Sequence, residues 1–197
     1  MNIQEINDVD LKLIDRNGVD SIVYRFKNSV LKAYTILSNQ IGLEQTFRII
    51  EQYRQDTLVA IASQPTIIRP TIVEGVSYEV VPIIVPPGRT DYWRSENIVC
   101  SLGQEFIEGK NLAELSDDNS ANKQINIDPD FPSTIASLVG FDILMSLWEY
   151  EQTINREVGS KFHITPDNVK FKCGIQDKTI FTYITDLADN LQRIYIK

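Results

Sequence analysis

The sequence predicts an α+β protein, and three observations support this class. Strand-like segments with turn residues between them fill residues 11–35. Two stretches with helical periodicity follow at 42–62 and 132–158, and a β-hairpin pattern comes late in the chain. At 197 residues, with 43% apolar and 23% charged residues, the chain has a globular composition and can bury a full core.

Charge and cysteine content exclude several classes of protein. The net charge of −8 excludes non-specific nucleic-acid binding, which needs a basic surface. The acidic first ten residues lack the apolar run of a signal peptide, and no apolar run is long enough for a membrane span. Cys100 and Cys173 lack metal-ligand spacing and are typical of a reduced, cytoplasmic protein. The single histidine excludes a His-rich metal site.

The first part of the chain is predicted to form a sheet. Strands are expected at 11–14, 21–26 and 30–34, joined by turns at 15–18 and 27–29. A helix over 42–62 follows.

Lys32 lies among apolar residues of the third strand. Its side chain either extends to solvent or is held for a partner. Glu44 and Glu51 lie two turns apart on one side of the following helix, so either could reach Lys32. The alternative for both is a solvated helix face.

The middle of the chain contains further strands and two loops. Strands are predicted at 67–73, 78–85 and 97–102. Residues 86–95 are predicted to be a loop because they begin with Pro86-Pro87-Gly88, and the polar stretch 116–130 is predicted to be a surface loop.

The helix predicted over 132–158 begins at Pro132, which suits a first turn, and Gly159 fits its C-cap. It is apolar around much of its circumference and is therefore expected to be buried on more than one side.

The sequence predicts a polar turn that leads into a strand at 162–170, and a second strand that ends on a carboxylate in the segment 184–188. A turn at 173–178 would place the two side by side and bring Asn168 close to Asp186. Such oxygen ligands suit Mg²⁺, which is usually held by one or two carboxylates together with substrate phosphates. The alternative is an ordinary hairpin with polar ends.

The order of these parts resembles a protein kinase fold that has been cut short. The segments that carry the resemblance are the first hairpin, the strand Val30-Leu31-Lys32-Ala33, Glu51, the hinge-like run Gln104–Gly109, the long helix, His163–Asn168 and Thr185–Ala188. The hinge-like run is similar to the kinase run Met-Glu-Tyr-x-x-Gly. The last two segments are similar to the catalytic loop and the Asp-Phe-Gly turn.

The resemblance implies two lobes. An N-lobe over 1–103 would contain an antiparallel sheet with the helix at 42–62, and a hinge would follow at 104–110. The C-lobe at 111–197 would be reduced and helical, without the activation segment and the later helices of the family.

The resemblance also implies site residues, a cofactor and a metal. ATP would be held by Lys32 paired with Glu51 and by the backbone of Glu105 and Ile107, and Mg²⁺ by Asn168 and Asp186.

The departures from the family concern catalysis. The catalytic aspartate should fall at 168 − 5 = 163, where this chain has His163. Phe162 and Thr165 stand where the family has arginine and lysine, Gly18 is the only glycine of the Gly-rich loop, and Ala188 replaces a glycine. A histidine can accept a proton near neutral pH but cannot supply the negative charge of an aspartate. Its alternative is a structural role.

Three functional classes follow. The first is a degenerate, pseudokinase-like module that can hold nucleotide and acts through protein contact. Its partner would be a second copy or another protein on a helix face made by Phe141, Leu144, Leu147 and Trp148. The second is a minimal ATP-dependent kinase that phosphorylates a protein or small-molecule hydroxyl, with His163 as a doubtful base. The third is an unrelated α+β interaction protein.

Overall fold

The computed structural model describes residues 3–5, 11–16, 18–63, 69–73, 75–94, 98–109, 111, 133–174, 178–188 and 190–196. It divides into two compact units. The first contains Met1–Ala62, Pro86–Phe106 and Ala188–Lys197, and the second contains Ser63–Val85 and Ile107–Leu187.

The described strands are β1 (Ile3–Glu5), β2 (Lys12–Asp15), β3 (Ile22–Phe26), β4 (Ser29–Ala33), β5 (Arg69–Val73), β6 (Val76–Ile84), β7 (Pro87–Arg94), β8 (Ile98–Glu105), β9 (Val169–Gly174) and β10 (Thr179–Ile184). The described helices are α1 (Thr35–Ile41), α2 (Leu43–Ala62), α3 (Ser133–Val158) and α4 (Leu191–Tyr195), and a 3-10 turn spans Pro166–Asn168.

The first unit is built on a six-stranded sheet. Its order is β1-β7-β8-β4-β3-β2, and every pair except β1–β7 is antiparallel. Helix α2 packs on β7 and β8. Its buried residues follow the three- and four-residue spacing of one helix face: Thr46, Ile49, Ile50, Tyr53, Thr57 and Ala60. The helix predicted over 42–62 is therefore present, and it covers one side of the sheet.

The loop predicted over 86–95 is wrong, because β7 occupies Pro87–Arg94 and pairs with β8. The pairing register shifts between Pro87 and Thr90, as in a β-bulge. Gly88 lies at this shift, where a Cβ atom would come within 2.9 Å of the Gly103 carbonyl oxygen. The Pro-Gly pair marks an irregularity inside a strand and not a loop.

The second unit is built on a four-stranded sheet of order β5-β6-β10-β9. The hairpin expected near the end of the chain is present as the antiparallel pair β9–β10. Strand β10 also pairs in parallel with β6, from Thr179↔Glu79 to Ile184↔Ile84. Alternate residues of β10 are buried, and α3 packs on β5 and β6. These contacts hold β10 on both edges.

Helix α4 belongs to the first unit. The Asp20 carboxylate accepts a hydrogen bond from the Leu191 amide at 2.6 Å, and Asp20 is buried. Asn190 caps the helix by accepting from the Arg193 amide at 3.0 Å. The chain thus returns to the first unit after completing β10.

The α+β class is confirmed. The order of elements is the one expected for a reduced kinase-like fold. A sheet with a lysine-bearing strand comes first and is followed by a helix, two further strands of that sheet, a long helix and a late hairpin. The chain passes between units at Phe106 and Ile107, inside the predicted hinge at 104–110, and 63–85 groups with the second unit. The loop predicted over 116–130 lies outside the described residues. None of the described helices is both long and apolar enough to cross a membrane.

Candidate functional site

Lys32 is held inside the first unit. It lies in β4, paired with Val23 on one side and Leu102 on the other, and it is only 8% exposed. Lysine is almost never this buried without a partner. The extension into solvent considered for this side chain is therefore not what the structure contains.

Glu44 and Glu51 differ in exposure, and Glu51 is the more buried of the two. Glu44 is exposed and accepts a hydrogen bond from Arg48 at 2.6 Å. Glu51 is half-buried, 3.8 Å from Arg54. Burial, followed by the charges of Glu51 and Asp91, raises the pKa of the Cys100 thiol in β8 to about 12. The charge of Glu51 therefore acts on the strand next to the one that carries Lys32.

The hinge segment is fixed by a lysine that the sequence did not indicate. Glu105 is the exposed last residue of β8 and pairs with Ser29, whereas Ile107 is buried. The Lys170 ammonium donates to the carbonyl oxygens of Ile107 and Gly109, each at 3.0 Å. One lone pair of the Ile107 carbonyl is thus already used within the chain.

Three hydrogen bonds join the turn before β9 to the segment after β10. The Asn168 carbonyl accepts from the Thr185 amide at 2.8 Å and from the Thr185 hydroxyl at 3.0 Å. The His163 amide donates to the Leu187 carbonyl at 2.9 Å. Asp186 lies between Thr185 and Leu187 and is half-buried. The structure therefore brings the chain at Asn168 next to the segment that carries Asp186.

The side-chain oxygens of Asn168 and Asp186 are the type of ligand that a hard divalent cation binds. The Asn168 amide nitrogen donates to the Thr165 hydroxyl at 3.0 Å, which leaves the amide oxygen for another partner. An amide oxygen and a carboxylate, completed by water or phosphate oxygens, are ligands that Mg²⁺ accepts. Among the described residues, no group of three or more His, Cys, Asp and Glu side chains could hold a metal ion unaided.

His163 makes a side-chain contact that sequence reasoning did not predict. Its Nδ1 lies 3.2 Å from Oε2 of Glu151, and its side chain is 60% exposed. The same Glu151 oxygen accepts from the Ile164 amide at 2.7 Å. Glu151 is in α3, and its side chain is only 13% exposed.

A second residue of α3 fixes the same turn. The Asn155 side chain donates to the Phe162 carbonyl at 2.8 Å and accepts from the Phe162 amide at 2.7 Å. Glu151 and Asn155 are four residues apart, so they lie on one face of the helix. A polar pair at this spacing, just before the turn in a mostly apolar helix, was the signal that could have identified them.

The predicted site residues fall into two groups. Lys32, Glu51 and Glu105 belong to the first unit, and Ile107, His163, Asn168 and Asp186 belong to the second.

Comparison with known proteins gives structural likeness only. No protein-family model matches the sequence, and no curated protein matches it either. The chain is similar to two crystal structures of the PknI kinase domain of Mycobacterium tuberculosis, each at 12% identity. One match covers 95% of this chain and 64% of that kinase domain with a TM-score of 0.42. The other covers 91% and 59%, with a TM-score of 0.41. The chain therefore spans less than two thirds of either kinase domain.

Proposed function

We propose that this chain is a degenerate kinase-like module that works by binding nucleotide and a protein partner and not by rapid phosphoryl transfer. The observation that carries the proposal is the residue at position 163. A carboxylate is expected there by the kinase resemblance, whereas this chain has an exposed histidine bonded to Glu151. A neutral imidazole supplies no negative charge to orient a hydroxyl beside metal-bound phosphates.

The nucleotide part of the proposal assigns roles to both groups of residues. Lys32, with Glu51, would contact the α- and β-phosphates, and the backbone at Glu105 and Ile107 would hold the adenine edge. Burial of Lys32 supports a role for its ammonium inside the protein. The bond from Lys170 to the Ile107 carbonyl counts against a strong adenine contact at that oxygen.

Mg²⁺ would be held by Asn168 and Asp186 in this proposal, and when bound it would neutralise phosphate charge. The hydrogen bonds between Thr185 and Asn168 support this assignment because they keep the two segments adjacent.

A second candidate function is a minimal phosphotransferase. Phosphoryl transfer depends mostly on positioning and on charge neutralisation, so a weak base does not abolish it. The contact between Glu151 and His163 favours this candidate, since a carboxylate on one ring nitrogen orients the other.

A thermal-shift titration with ATP, with and without Mg²⁺, tests nucleotide binding. At 100 times Kd, bound ATP stabilises the folded chain by about 2.7 kcal/mol, and each kcal/mol raises Tm by about 2–4 °C at this size. Lys32→Ala should abolish the ATP-induced shift, and Asp186→Asn should remove its Mg²⁺ dependence.

Lys12→Ala is the matched control, because Lys12 is an exposed lysine of β2 in the same sheet. An unchanged shift in Lys32→Ala rules out the phosphate assignment. ADP release by the wild-type chain would favour the phosphotransferase over the binding module.

The protein-contact part of the proposal concerns α3. Of the apolar face expected there, Leu147 is buried in the core, so its assignment to an open face is wrong, whereas Trp148 is 57% exposed. The side chains of Phe141 and Leu144 lie outside the described part of the structure. Trp148 is therefore the residue on which the proposed contact is tested.

Trp148→Glu should lower the mass measured by sedimentation, because a charge at the centre of an apolar contact disfavours association. Val59→Glu, at a 48% exposed valine of α2, is the control. A wild-type chain that sediments as a monomer at high concentration would remove the case for a homodimer.

A further inference from the structure

The contact between Glu151 and His163 determines which ring nitrogen of the histidine carries the proton. A carboxylate oxygen can only accept a hydrogen bond, so the 3.2 Å contact requires a proton on Nδ1 of His163. In the neutral ring the other nitrogen, Nε2, then carries a lone pair. We infer that Glu151 is a positioning residue that fixes this tautomer and makes Nε2 of His163 a proton acceptor.

Glu151 is itself held in place. It projects from α3, a 26-residue helix, and its side chain is 13% exposed. Its Oε2 also accepts from the Ile164 amide at 2.7 Å, so the backbone next to the histidine is bonded to the same oxygen. The carboxylate therefore has a fixed position relative to the imidazole ring.

The backbone of His163 is fixed independently of Glu151. Its amide donates to the Leu187 carbonyl at 2.9 Å. The two bonds between Asn155 and Phe162 hold the preceding residue on α3. With backbone and Nδ1 both held, the imidazole ring has little freedom to turn.

The second ring nitrogen is available to a ligand. The His163 side chain is 60% exposed, and Nε2 makes no hydrogen bond to any described residue. A hydroxyl group or water molecule that approaches Nε2 can give up its proton there, and Glu151 stabilises the positive charge that develops on the ring. In the second candidate function, a neutral base supported by a carboxylate from α3 would take the place of the carboxylate expected at position 163. If the second candidate function is correct, the group that gives its proton to Nε2 is the hydroxyl that receives the phosphoryl group; this part of the inference rests on that proposed function.

The tautomer can be measured directly because His163 is the only histidine in the chain. In the neutral ring of the wild-type protein, ¹⁵N NMR should show a protonated Nδ1 and an unprotonated Nε2. The excess of this form should be about tenfold or more, as expected for a hydrogen bond to a charged group. A wild-type spectrum dominated by the Nε2–H form overturns the inference, whatever the variants do.

Two variants distinguish a specific effect of Glu151 on the His163 ring from a general loosening of the turn that carries it. Glu151→Ala should lose the excess of the Nδ1–H form. Asn155→Ala removes both bonds to Phe162 but leaves Glu151, and should keep the excess. If Asn155→Ala abolishes the excess as fully as Glu151→Ala does, the tautomer depends on the turn alone and the inference fails. If the alanine variant does not fold, Glu151→Gln serves instead: it keeps an oxygen for the Ile164 amide but removes the charge, so it should reduce the excess of the Nδ1–H form, and an unchanged excess contradicts the role of the carboxylate.

Acylation by diethyl pyrocarbonate tests whether Nε2 is accessible. The lone pair of an unprotonated ring nitrogen attacks a carbonyl carbon of the reagent and ethyl carbonate leaves, so the wild-type product should carry the ethoxycarbonyl group on Nε2 alone, and Glu151→Ala should give a mixture. A wild-type histidine that resists the reagent overturns the role as proton acceptor. Neither measurement uses nucleotide, so failure to bind ATP and failure of this inference are separate results.

Discussion

At the scale of single residues, the hydroxyl of Tyr150 is a buried polar group of the described structure with no hydrogen-bond partner. Tyr150 is fully buried in α3, and its hydroxyl makes no hydrogen bond to any described residue. Burial raises the pKa of this phenol. A buried hydroxyl without a partner costs free energy that a phenylalanine would not.

Tyr150→Phe is therefore expected to raise the free energy of unfolding, by up to about 1–3 kcal/mol, the desolvation penalty of such a group. Urea denaturation measures the change. Tyr195→Phe is the matched control. It should lower the free energy of unfolding, because it removes the hydrogen bond that the Tyr195 hydroxyl donates to Asp56 at 2.8 Å. A Tyr150→Phe variant less stable than wild type would show that this hydroxyl is hydrogen-bonded in solution.

At residue level, sequence predicts the element of a residue where the residue type is tied to a local pattern. Lys32 lies in the strand predicted for it, and Asn168 lies in the turn before β9, whereas their roles as ligands stay predictions. Glu151 was not, because its contact with His163 joins residues in different elements and depends on how α3 packs. The same is true of Lys170, which reaches a carbonyl 63 residues away.

At the scale of elements, α4 was not predicted. A five-residue helix has no stability of its own and forms because it packs on another element. The Asp20 carboxylate that accepts from the Leu191 amide lies 171 residues earlier, so no local pattern could reveal the contact.

Asp20→Ala is expected to release α4 and to lower the free energy of unfolding by about 1–3 kcal/mol, since the buried Leu191 amide loses its acceptor. Hydrogen exchange at the amides of Leu191–Tyr195 and urea denaturation together measure both effects. Asn190→Ala is the comparison, because it removes only the cap and should cost about 1 kcal/mol. Unaltered exchange in Asp20→Ala would show that this carboxylate does not hold the helix.

The longer elements were predictable because their patterns are regular. Helices α2 and α3 were located within a residue or two, and the hairpin β9–β10 was identified from its turn. Strand β7 was missed because Pro87 and Gly88 are typical of turns, whereas the pairing with β8 outweighs that local preference. The parallel partnership of β6 and β10 had no sequence signal at all.

At the scale of the whole molecule, the units are not simple halves of the chain. The chain changes unit after residues 62, 85, 106 and 187. A cut at the hinge would therefore leave 107–187 without 63–85, which supplies β5 and β6 to its sheet. The side of β10 that β6 covers would then be an unpaired edge.

A fragment of residues 107–187 is expected to aggregate or to remain unfolded. A fragment in which 63–85 is joined to 107–187 by a flexible Gly/Ser linker should fold, since it restores the second unit. Dispersion of amide signals in ¹H–¹⁵N spectra and size-exclusion chromatography distinguish the two. A well-dispersed spectrum from 107–187 alone would show that β6 is dispensable.

The parallel pair of β6 and β10 also has a consequence for biosynthesis. The Thr182 hydroxyl bonds to the Val81 carbonyl across 101 residues of sequence. A ribosome that adds about 5–20 residues per second needs roughly 5–20 s to synthesise the residues between the two strands. During this time β6 is already synthesised but cannot yet pair with β10. For that time the nascent chain presents Val80, Ile83 and Ile84 to its surroundings, so its yield in the cell should respond to holding chaperones far more than the stability of the finished protein would suggest.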